Sequence, residues 1–293
     1  MVPEGGEVTR VEVAGRRLKL TSLDKLLYPS TETTKGEVLS YYAQVAPVLL
    51  PHLADRPLTR VRWPHGTADQ SFFEKNLPSG APAWLPRVKI DDVTYPMVED
   101  LAELTYLVNL NSIELHIPQW RVSDSGRQNP DRLVIDLDPG APAGLHECAQ
   151  VALMVRDRLG ALGLDLFPVT SGSKGMQLYA SLSGDLSSDQ VRDLTQQLAQ
   201  ELTKAHPDLI VWKMTKSMRP GKVFLDWSQN VAAKTTICPY SLRGKETPTV
   251  AAPRTWDEVE AGAAKPDVLQ QLMFDEVLER LDDHGDLVAD LLA

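Results

Sequence analysis

The sequence predicts an α+β fold in one compact domain of mixed β-sheets and helices. Short runs that are apolar or alternate in polarity, which are typical of strands, recur along the chain. Longer stretches between them carry apolar residues at helical spacing. The 293 residues contain no internal repeat, low-complexity segment or long linker, and their 43% of apolar residues can bury a sizeable core.

Strands are expected where a short apolar or alternating run meets a turn signal. Residues 10–20 alternate around Ala14-Gly15 and predict a β-hairpin. The apolar run 133–137 stops at Pro139-Gly140, which predicts a buried strand. Further strands are expected at residues 58–63, 71–75, 94–98, 113–117, 166–170, 176–180 and 223–227.

The clearest helix start is the capping box formed by Thr34 and Glu37. It predicts an amphipathic helix to about residue 53, which Pro47 or Pro51 could interrupt. Other helical segments are expected at residues 22–29 (one turn), 100–109, 145–162, 188–205 and 266–292 (an acidic tail for packing and solubility).

Charge is distributed unevenly along the chain. The net charge is −10, but residues 204–254 carry nine Lys or Arg against three acids. Residues 255–293 carry eleven acids against two basic residues, so most of the negative excess lies there. A basic middle with an acidic tail is compatible with a phosphate-binding surface, so the net charge does not exclude nucleic acid as a partner.

Other features predict a cytoplasmic protein without a membrane segment. No run of 18 apolar residues is present, and residues 1–6 are polar and acidic, unlike a signal peptide. Cys148 and Cys238 stand alone in apolar contexts, so we expect buried free thiols, as suits a reducing compartment. Six scattered histidines without paired cysteines give no readable zinc site.

Asp136 and Asp138 are the first candidate site residues. Side chains alternate along a strand, so these two carboxylates point to one face, opposite the apolar residues between and before them. Their mutual repulsion would be offset by a divalent cation with oxygen ligands, Mg²⁺ or Mn²⁺. The alternative is a strand end at which two aspartates merely cap a solvated turn.

Asp226 is a third carboxylate near the end of an apolar run, with cations before it and Arg243 after it. Three carboxylates can hold two metal ions, the arrangement of two-metal phosphoryl transfer. A chance surface position is the alternative.

The loop Ser171-Gly-Ser-Lys-Gly175 is small, cationic and conformationally permissive. Its backbone N–H groups could approach phosphate oxygens, and Lys174 could neutralise one of them. A strand follows it rather than a helix, so it is not a Walker A loop. A plain hairpin turn is the alternative.

Lys25 and Lys35 flank a predicted helix start, where a phosphate could bind; two solvated lysines are the alternative. Phe72 and Phe73 are adjacent in a predicted strand, so one should face the core and the other should face out as a candidate base-stacking platform. Burial of both is the alternative. A lone histidine such as His116 is usually structural.

These motifs, in their order along the chain, resemble the polymerase domain of the bacterial multifunctional DNA ligase D (LigD), a member of the archaeo-eukaryotic primase superfamily. The resemblance covers nearly the whole chain, and the joint order of the motifs is highly specific although each is weak alone. It rests mainly on Asp136-Leu-Asp138, Thr170-Ser-Gly-Ser-Lys-Gly175, Lys216-Ser-Met-Arg-Pro-Gly-Lys222-Val-Phe-Leu-Asp226, Phe72-Phe-Glu-Lys75 and Pro239-Tyr-Ser-Leu-Arg-Gly244.

The resemblance implies a primase-like fold, with mixed and antiparallel β-sheets flanked by helices, across residues 1–293. Within it we expect an N-terminal part with a DNA-binding surface to about residue 100, a catalytic core over about 101–254 and an acidic helical tail over 255–293. The implied function is metal-dependent nucleotidyl transfer to a primer 3′-hydroxyl, often with ribonucleotides preferred, in non-homologous end joining of double-strand breaks.

The resemblance also implies partners and residue roles. The partners are DNA with 5′-phosphorylated ends or gaps, an NTP or dNTP, a Ku-type end-binding protein and a ligase, and we expect a monomer in the cytoplasm, at the nucleoid. The implied metal ligands of a two-metal Mn²⁺ or Mg²⁺ site are Asp136, Asp138 and Asp226. The implied nucleotide-binding residues are His116, Ser171, Ser173, Lys174, Gln177, Arg219 and Arg243; Lys25 and Lys35 match the 5′-phosphate site, and Phe72 and Phe73 match the pair at the template bend.

One position departs from the family pattern. Gln177 stands where family members usually carry a histidine that is expected to contact the triphosphate. Glutamine can donate a hydrogen bond but carries no charge, so we expect weaker nucleotide binding. The metal triad is unaffected by this difference.

Two other functions are alternatives to metal-dependent nucleotidyl transfer. A haloacid-dehalogenase-type phosphohydrolase also places Asp-x-Asp at a strand end and uses the first Asp as a nucleophile, but here Pro139-Gly140 follows the motif. The second rival is a non-catalytic module that binds 5′-phosphorylated DNA ends, with a nucleotide pocket degraded at Gln177.

Overall fold

A six-stranded β-sheet forms the centre of the computed structural model, which describes residues 8–292. Residues 1–6, considered above for a signal peptide, lie outside this range. The helices of the described range are α1 (Lys35–Leu53), α2 (Leu101–Asn109), α3 (Leu145–Gly160), α4 (Ser188–Ala205), α5 (Trp256–Ala264) and α6 (Phe274–His284). Its strands are β1 (Val8–Val13), β2 (Arg16–Thr21), β3 (Leu26–Tyr28), β4 (Thr33–Thr34), β5 (Thr59–Arg62), β6 (Phe72–Glu74), β7 (Arg87–Ile90), β8 (Val93–Pro96), β9 (Ser112–Ile117), β10 (Trp120–Ser123), β11 (Gly126–Pro130), β12 (Arg132–Pro139), β13 (Phe167–Thr170), β14 (Met176–Ser181), β15 (Ile210–Val211), β16 (Val223–Asp226), β17 (Thr236–Ile237) and β18 (Ala252–Pro253).

The strand order of the large sheet is β15-β16-β12-β14-β13-β18. All neighbours in it are antiparallel except β15 and β16, so the sheet is mixed. A second, antiparallel sheet has the order β17-β9-β5-β6, and the remaining strands form two-stranded hairpins or ladders. The predicted α+β fold with mixed and antiparallel sheets is confirmed.

The alternation of β12 separates two hydrophobic cores. Leu133, Ile135 and Leu137 are fully buried against α3 and α4 on one face. Val134 faces the opposite core, which contains α1, α2 and the second sheet. Asp136 and Asp138 share the face of Val134, so they open toward the space between the two sheets.

Most predicted elements are confirmed within a few residues. The hairpin around Ala14-Gly15 is β1–β2, and α4 covers the whole predicted segment 188–205. The capping box of α1 is present, with Thr34 accepting from the Glu37 amide. Both cysteines are free and buried, as predicted. Among the described helices, none has the length and apolar character that a membrane crossing requires.

Three predictions about local structure are wrong, and a helix break that the sequence left open does not occur. Residues 22–29 do not form a helical turn: they contain strand β3, which pairs with β4, and Pro29 begins a short 3₁₀ helix. Neither Pro47 nor Pro51 interrupts α1, which continues to Leu53 because its buried face packs against the core. The tail 266–292 is not one helix, since residues 265–273 are non-helical before α6.

The third wrong prediction concerns the aromatic pair of β6. Phe72 and Phe73 are both exposed, with 44% and 58% of their surface accessible, so neither faces the core. The physical reason is position, because β6 is a three-residue strand at the edge of its sheet. The alternative that both are buried is excluded as well.

Candidate functional site

Three aspartates meet at one end of the large sheet. In the strand register Asp136 lies between Asp226 of β16 and Gln177 of β14. Residues directly opposed in an antiparallel pair face the same side, with Cβ atoms about 4.5–5.5 Å apart. Asp138 lies two residues further on the same face. The strand pairing therefore brings together carboxylates that are separated by about ninety residues in sequence.

This proximity raises the pKa of two of the carboxyls. Burial and then the charges of Asp138 and Asp226 raise the pKa of Asp136 to about 8. The pKa of Asp138 is also raised, by partial loss of hydration in the cleft and by Asp226. Nearby cations oppose this second shift, Arg219 most strongly, followed by Arg243 and Lys174. Ionisation of both carboxyls is therefore costly in this cluster, and a bound cation would offset that cost.

Asp226 is held by its own strand end. Its Oδ1 accepts hydrogen bonds from the Ser228 amide at 3.0 Å and from the Ser228 hydroxyl at 2.5 Å. Its Oδ2 accepts from Gln229 Nε2 at 3.0 Å and lies 3.8 Å from Lys234 Nζ. Across residues 8–292, no three His, Cys, Asp or Glu side chains already converge on a metal-sized space. The three aspartates are adjacent, but Asp226 is turned toward its local donors.

Gln177 belongs to this cluster. Its Nε2 donates to Asp136 Oδ1 at 3.2 Å, and its Oε1 accepts from the Tyr179 hydroxyl at 2.9 Å. The same hydroxyl lies 3.1 Å from the Ile237 carbonyl oxygen. Only 5% of Gln177 is exposed, so its amide orientation is set by these partners.

A cleft of about 230 Å³ opens beside the aspartates. It brings together most of the residues predicted to bind a nucleotide, with cations and hydroxyls facing the carboxylates. The predicted residues that line it are His116, Asp136, Asp138, Ser171, Ser173, Lys174, Gln177 and Arg243. Gln229, Thr235, Thr236 and Ile237 complete the lining and were not predicted.

Glu114, which the sequence analysis missed, holds two of these residues in place. It is 6% exposed, lies 2.8 Å from His116 Nε2, and accepts from the Gly244 amide at 3.0 Å. Its Oε1 is 3.4 Å from Arg243 Nε. Burial alone would raise the pKa of Glu114, but His116, Arg243 and the Gly244 amide together lower it to about 2. The signal available in the sequence was the spacing, since Glu114 and His116 share one face of β9.

Arg219 reaches the cluster from the other side. Phe224 lies opposite Asp138 in the β12–β16 pair, and the Arg219 guanidinium carbon is 3.7 Å from the centre of the Phe224 ring. Arg219 Nη2 donates to the Met214 carbonyl at 3.0 Å. A Cβ at Gly140 would lie 2.2 Å from the Arg219 carbonyl oxygen, so only glycine fits there. Arg219 therefore lies at the rim, beside Asp138.

Lys25 and Lys35 are also brought together. The Lys35 amide donates to the Lys25 carbonyl at 2.7 Å, at the first turn of α1. Lys35 is 2% exposed, with Nζ 2.7 Å from the Thr21 carbonyl, and Lys25 Nζ bonds the Pro64 carbonyl. Burial and the Lys25 charge lower the pKa of Lys35 to about 8. Both ammonium groups thus have backbone carbonyl partners, close to the helix N-terminus at which the sequence predicts a phosphate site.

One ring of the aromatic pair lies beside the cleft. The Phe73 ring lies 6.2 Å from the His116 ring, centre to centre, in an edge-to-face arrangement. Phe72 is its exposed neighbour on β6. An exposed aromatic ring such as that of Phe73, beside a cationic cleft, is suited to stacking with nucleic acid bases.

Comparison with known proteins identifies relatives. A sequence model of the LigD primase-polymerase domain matches residues 34–288. The chain is 50% identical over 279 residues to the multifunctional non-homologous end joining protein LigD of Mycolicibacterium smegmatis, covering 94% of this chain and 36% of that protein. It is 35% identical over 272 residues to the bifunctional non-homologous end joining protein LigD of Bacillus subtilis, covering 92% and 43%.

A solved structure is similar throughout. It is the polymerase domain from Mycobacterium tuberculosis ligase D in complex with DNA, with a TM-score of 0.89 and 48% identity. The match covers 94% of this chain and 98% of that one. The chain spans between about a third and two fifths of the length of the two curated relatives described above.

Proposed function

The chain belongs to the LigD primase-polymerase domain family, and on that premise we propose that it is a metal-dependent nucleotidyltransferase. It would add nucleotides to primer 3′-hydroxyl ends during repair of DNA double-strand breaks by non-homologous end joining. The observation that supports the proposal is the carboxylate cluster of β12 and β16 beside a cleft lined by cations and hydroxyl groups. Such a cluster is the protein part of a two-metal phosphoryl-transfer site.

Asp136, Asp138 and Asp226 are the residues that would hold the metal. Their donor set is entirely oxygen, which favours Mg²⁺ or Mn²⁺ over softer-ligand metals. The raised pKa of Asp136 supports this assignment, because a buried carboxylate cluster requires a cation to remain ionised near neutral pH. When bound, the metal would stabilise charge on the attacking and leaving oxygens.

The chain's own residues would bind and orient the nucleotide. Lys174 and Arg243 line the cleft, and Arg219 lies at its rim, so the three cations can offset triphosphate charge on different sides. The hydroxyls of Ser171 and Ser173 would donate to phosphate oxygens, and His116 would be oriented by Glu114. A preference for ribonucleotides is part of the proposal on family grounds.

DNA would bind along the N-terminal part of the chain, to about residue 100. Lys25 and Lys35 would hold the 5′-phosphate of the downstream strand, and Phe72 and Phe73 would stack at the template bend. The DNA complex of the similar mycobacterial polymerase domain supports a DNA partner. A Ku-type end-binding protein, a ligase activity, a monomeric state and a place at the nucleoid in the cytoplasm extend the proposal to the cellular reaction.

Primer extension on a short gapped duplex with a 5′-phosphate tests the proposal. Single ribo- or deoxyribonucleotides are supplied with Mg²⁺ or Mn²⁺, and the matched control is Asp138→Ala. We expect addition by the wild type only, with ribonucleotides favoured, and equal binding of the duplex by both proteins. Unchanged addition by Asp138→Ala would refute the catalytic assignment, and duplex binding without addition under either metal would favour an end-binding module instead.

A further inference from the structure

The side-chain amide of Gln271 spans the glycine loop between β13 and β14. Its Oε1 accepts from the Gly172 amide at 2.7 Å, and its Nε2 donates to the Gly175 carbonyl at 2.9 Å. The residues between these two contacts include Ser173 and Lys174, which line the nucleotide cleft. One side chain from the non-helical segment before α6 thus braces both ends of the loop.

The segment that carries Gln271 is held in place by backbone hydrogen bonds to residues 249 and 250. The Val250 amide donates to the Leu272 carbonyl at 2.9 Å, and Thr249 pairs with Met273 in an isolated bridge. The Thr249 hydroxyl also donates to the Gly172 carbonyl at 2.5 Å. Because Gln271 precedes this paired segment, its position relative to the loop is set by backbone bonds rather than by a flexible tail.

The loop tolerates little displacement. Gly172 has a φ of +67°, and a Cβ there would lie 2.5 Å from Arg243 Cγ. A Cβ at Gly175 would lie 1.9 Å from the Leu137 carbonyl oxygen. The loop therefore packs directly against Arg243 of the cleft and against the strand that carries the aspartates, so a shift of the loop would move its cationic and hydroxyl groups relative to the carboxylates.

Three of the five backbone N–H groups of the loop already have hydrogen-bond partners within the protein. The Ser171 amide donates to the Gly175 carbonyl at 3.0 Å, and the Ser173 amide donates to Ser171 Oγ at 3.2 Å. The Gly172 amide donates to Gln271. The sequence-based expectation that backbone N–H groups of this loop approach phosphate is therefore not met at these three positions. At these positions a phosphate would meet the serine hydroxyls and the Lys174 side chain.

We propose that Gln271 is a positioning residue of the nucleotide site, which holds the loop so that Ser171, Ser173 and Lys174 face the triphosphate. This inference rests on the proposed function for its kinetic consequence. Gln271 touches no reacting group; it acts through the loop. The acidic C-terminal part of the chain thus contributes to nucleotide binding, beyond the packing and solubility role expected from its sequence.

Gln271→Met is the main test, because methionine has a similar length and lacks both hydrogen-bonding groups. We expect KM for the nucleotide to rise about tenfold, which corresponds to about 1.4 kcal/mol and lies within the range of two hydrogen bonds. We expect kcat to stay within about twofold and the affinity for 5′-phosphorylated duplex to be unchanged. Gln271→Glu keeps the acceptor for Gly172 but loses the donor to Gly175 and adds a negative charge, so its KM should rise further.

Gln270→Met is the matched control. Gln270 is the adjacent residue and is exposed, and its amide donates to the Asp267 carbonyl at 2.9 Å, away from the loop. We expect wild-type kinetics from this variant. A general structural effect would instead lower kcat, duplex affinity and Tm together in the Gln271 variants.

Hydrogen exchange of residues 171–175 gives a readout that needs no catalysis. The loop amides should exchange faster in Gln271→Met than in the wild type or in Gln270→Met. If the wild-type protein adds no nucleotide, the proposed function fails. The exchange comparison still tests whether Gln271 holds the loop in place. If the wild type is active and Gln271→Met matches it in both KM and exchange, the positioning role of Gln271 is refuted and the proposed function stands.

Discussion

Replacing Glu114 by glutamine should destabilise the protein without changing its shape. The substitution keeps an oxygen that can accept from the Gly244 amide but removes the negative charge facing His116 and Arg243. Glu114 is 6% exposed, so water cannot replace these interactions. The expected cost is therefore larger than that of removing a surface ion pair, which is at most about 1 kcal/mol.

The pKa of Glu114 gives the magnitude. A carboxyl whose pKa falls from 4.5 in the unfolded chain to about 2 in the fold stabilises the native state by about 3 kcal/mol at neutral pH. Because the folded pKa is the lower one, this contribution is complete above the unfolded pKa and is lost as the pH falls from 4.5 toward 2. A neutral glutamine should therefore cost about 3 kcal/mol at pH 7 and about 2 kcal/mol at pH 3.5.

Urea unfolding of the wild type and of Glu114→Gln, at several pH values, measures this difference. Glu279→Gln is the control, because Glu279 is exposed on α6 and its loss should change the unfolding free energy by less than about 0.5 kcal/mol. A cost for Glu114→Gln below about 1 kcal/mol at pH 7, or one that grows as the pH falls, would contradict the ionised, multiply bonded state described for Glu114.

Three further predictions follow from the acidic cluster, the lysine pair and the aromatic pair. Asp136→Asn should raise the Tm of chelator-treated protein at pH 8, because burial and the charge of Asp138 disfavour this carboxylate. Its folded pKa, about 8, exceeds the ordinary 3.8, so the gain in Tm should shrink as the pH falls toward 4, while Mn²⁺ should raise the Tm of the wild type only. Lys35→Met should raise the Tm at pH 7, because burial lowers the Lys35 pKa to about 8 and makes its charged form costly below that pH. In fluorescence polarisation it should also erase the preference for 5′-phosphate over 5′-hydroxyl duplex, which the exposed-lysine variant Lys19→Met should retain. Phe73→Ala should leave the unfolding free energy within about 0.5 kcal/mol but reduce templated addition roughly tenfold, and undiminished addition would contradict a stacking role.

Local patterns were enough to predict most of the fold. The strand β12 and the helices α1 and α4 follow directly from a short apolar run, a capping box and helical spacing. The prediction of a helical turn at residues 22–29 was wrong because two buried side chains, Leu27 and Tyr28, fit a strand as well as a helical turn. Only the pairing of β3 with β4 decides between the two structures. Short apolar segments leave this choice to tertiary contacts.

The supporting residues of the site could not be predicted in the same way. Glu114 accepts from the Gly244 amide and Gln271 accepts from the Gly172 amide, and these contacts span 130 and 99 positions of the chain. Neither residue carries a motif, since a glutamate in a strand and a glutamine in a polar segment are ordinary. The residues that would contact metal or phosphate have a chemistry visible in the sequence, whereas those that orient them are defined only by the fold.

Gln177, which the resemblance marks as a departure from the usual family histidine, also affects the electrostatics of the site. A glutamine donates to Asp136 but adds no positive charge, and Tyr179 holds its amide in that orientation. The hydrogen bond lowers the pKa of Asp136 only in part, because burial and two neighbouring carboxylates still raise it to about 8. A histidine at this position could be protonated and would offset part of the same negative charge. With glutamine there, the ionised state of Asp136 depends more heavily on a divalent cation and on the cations around the cleft.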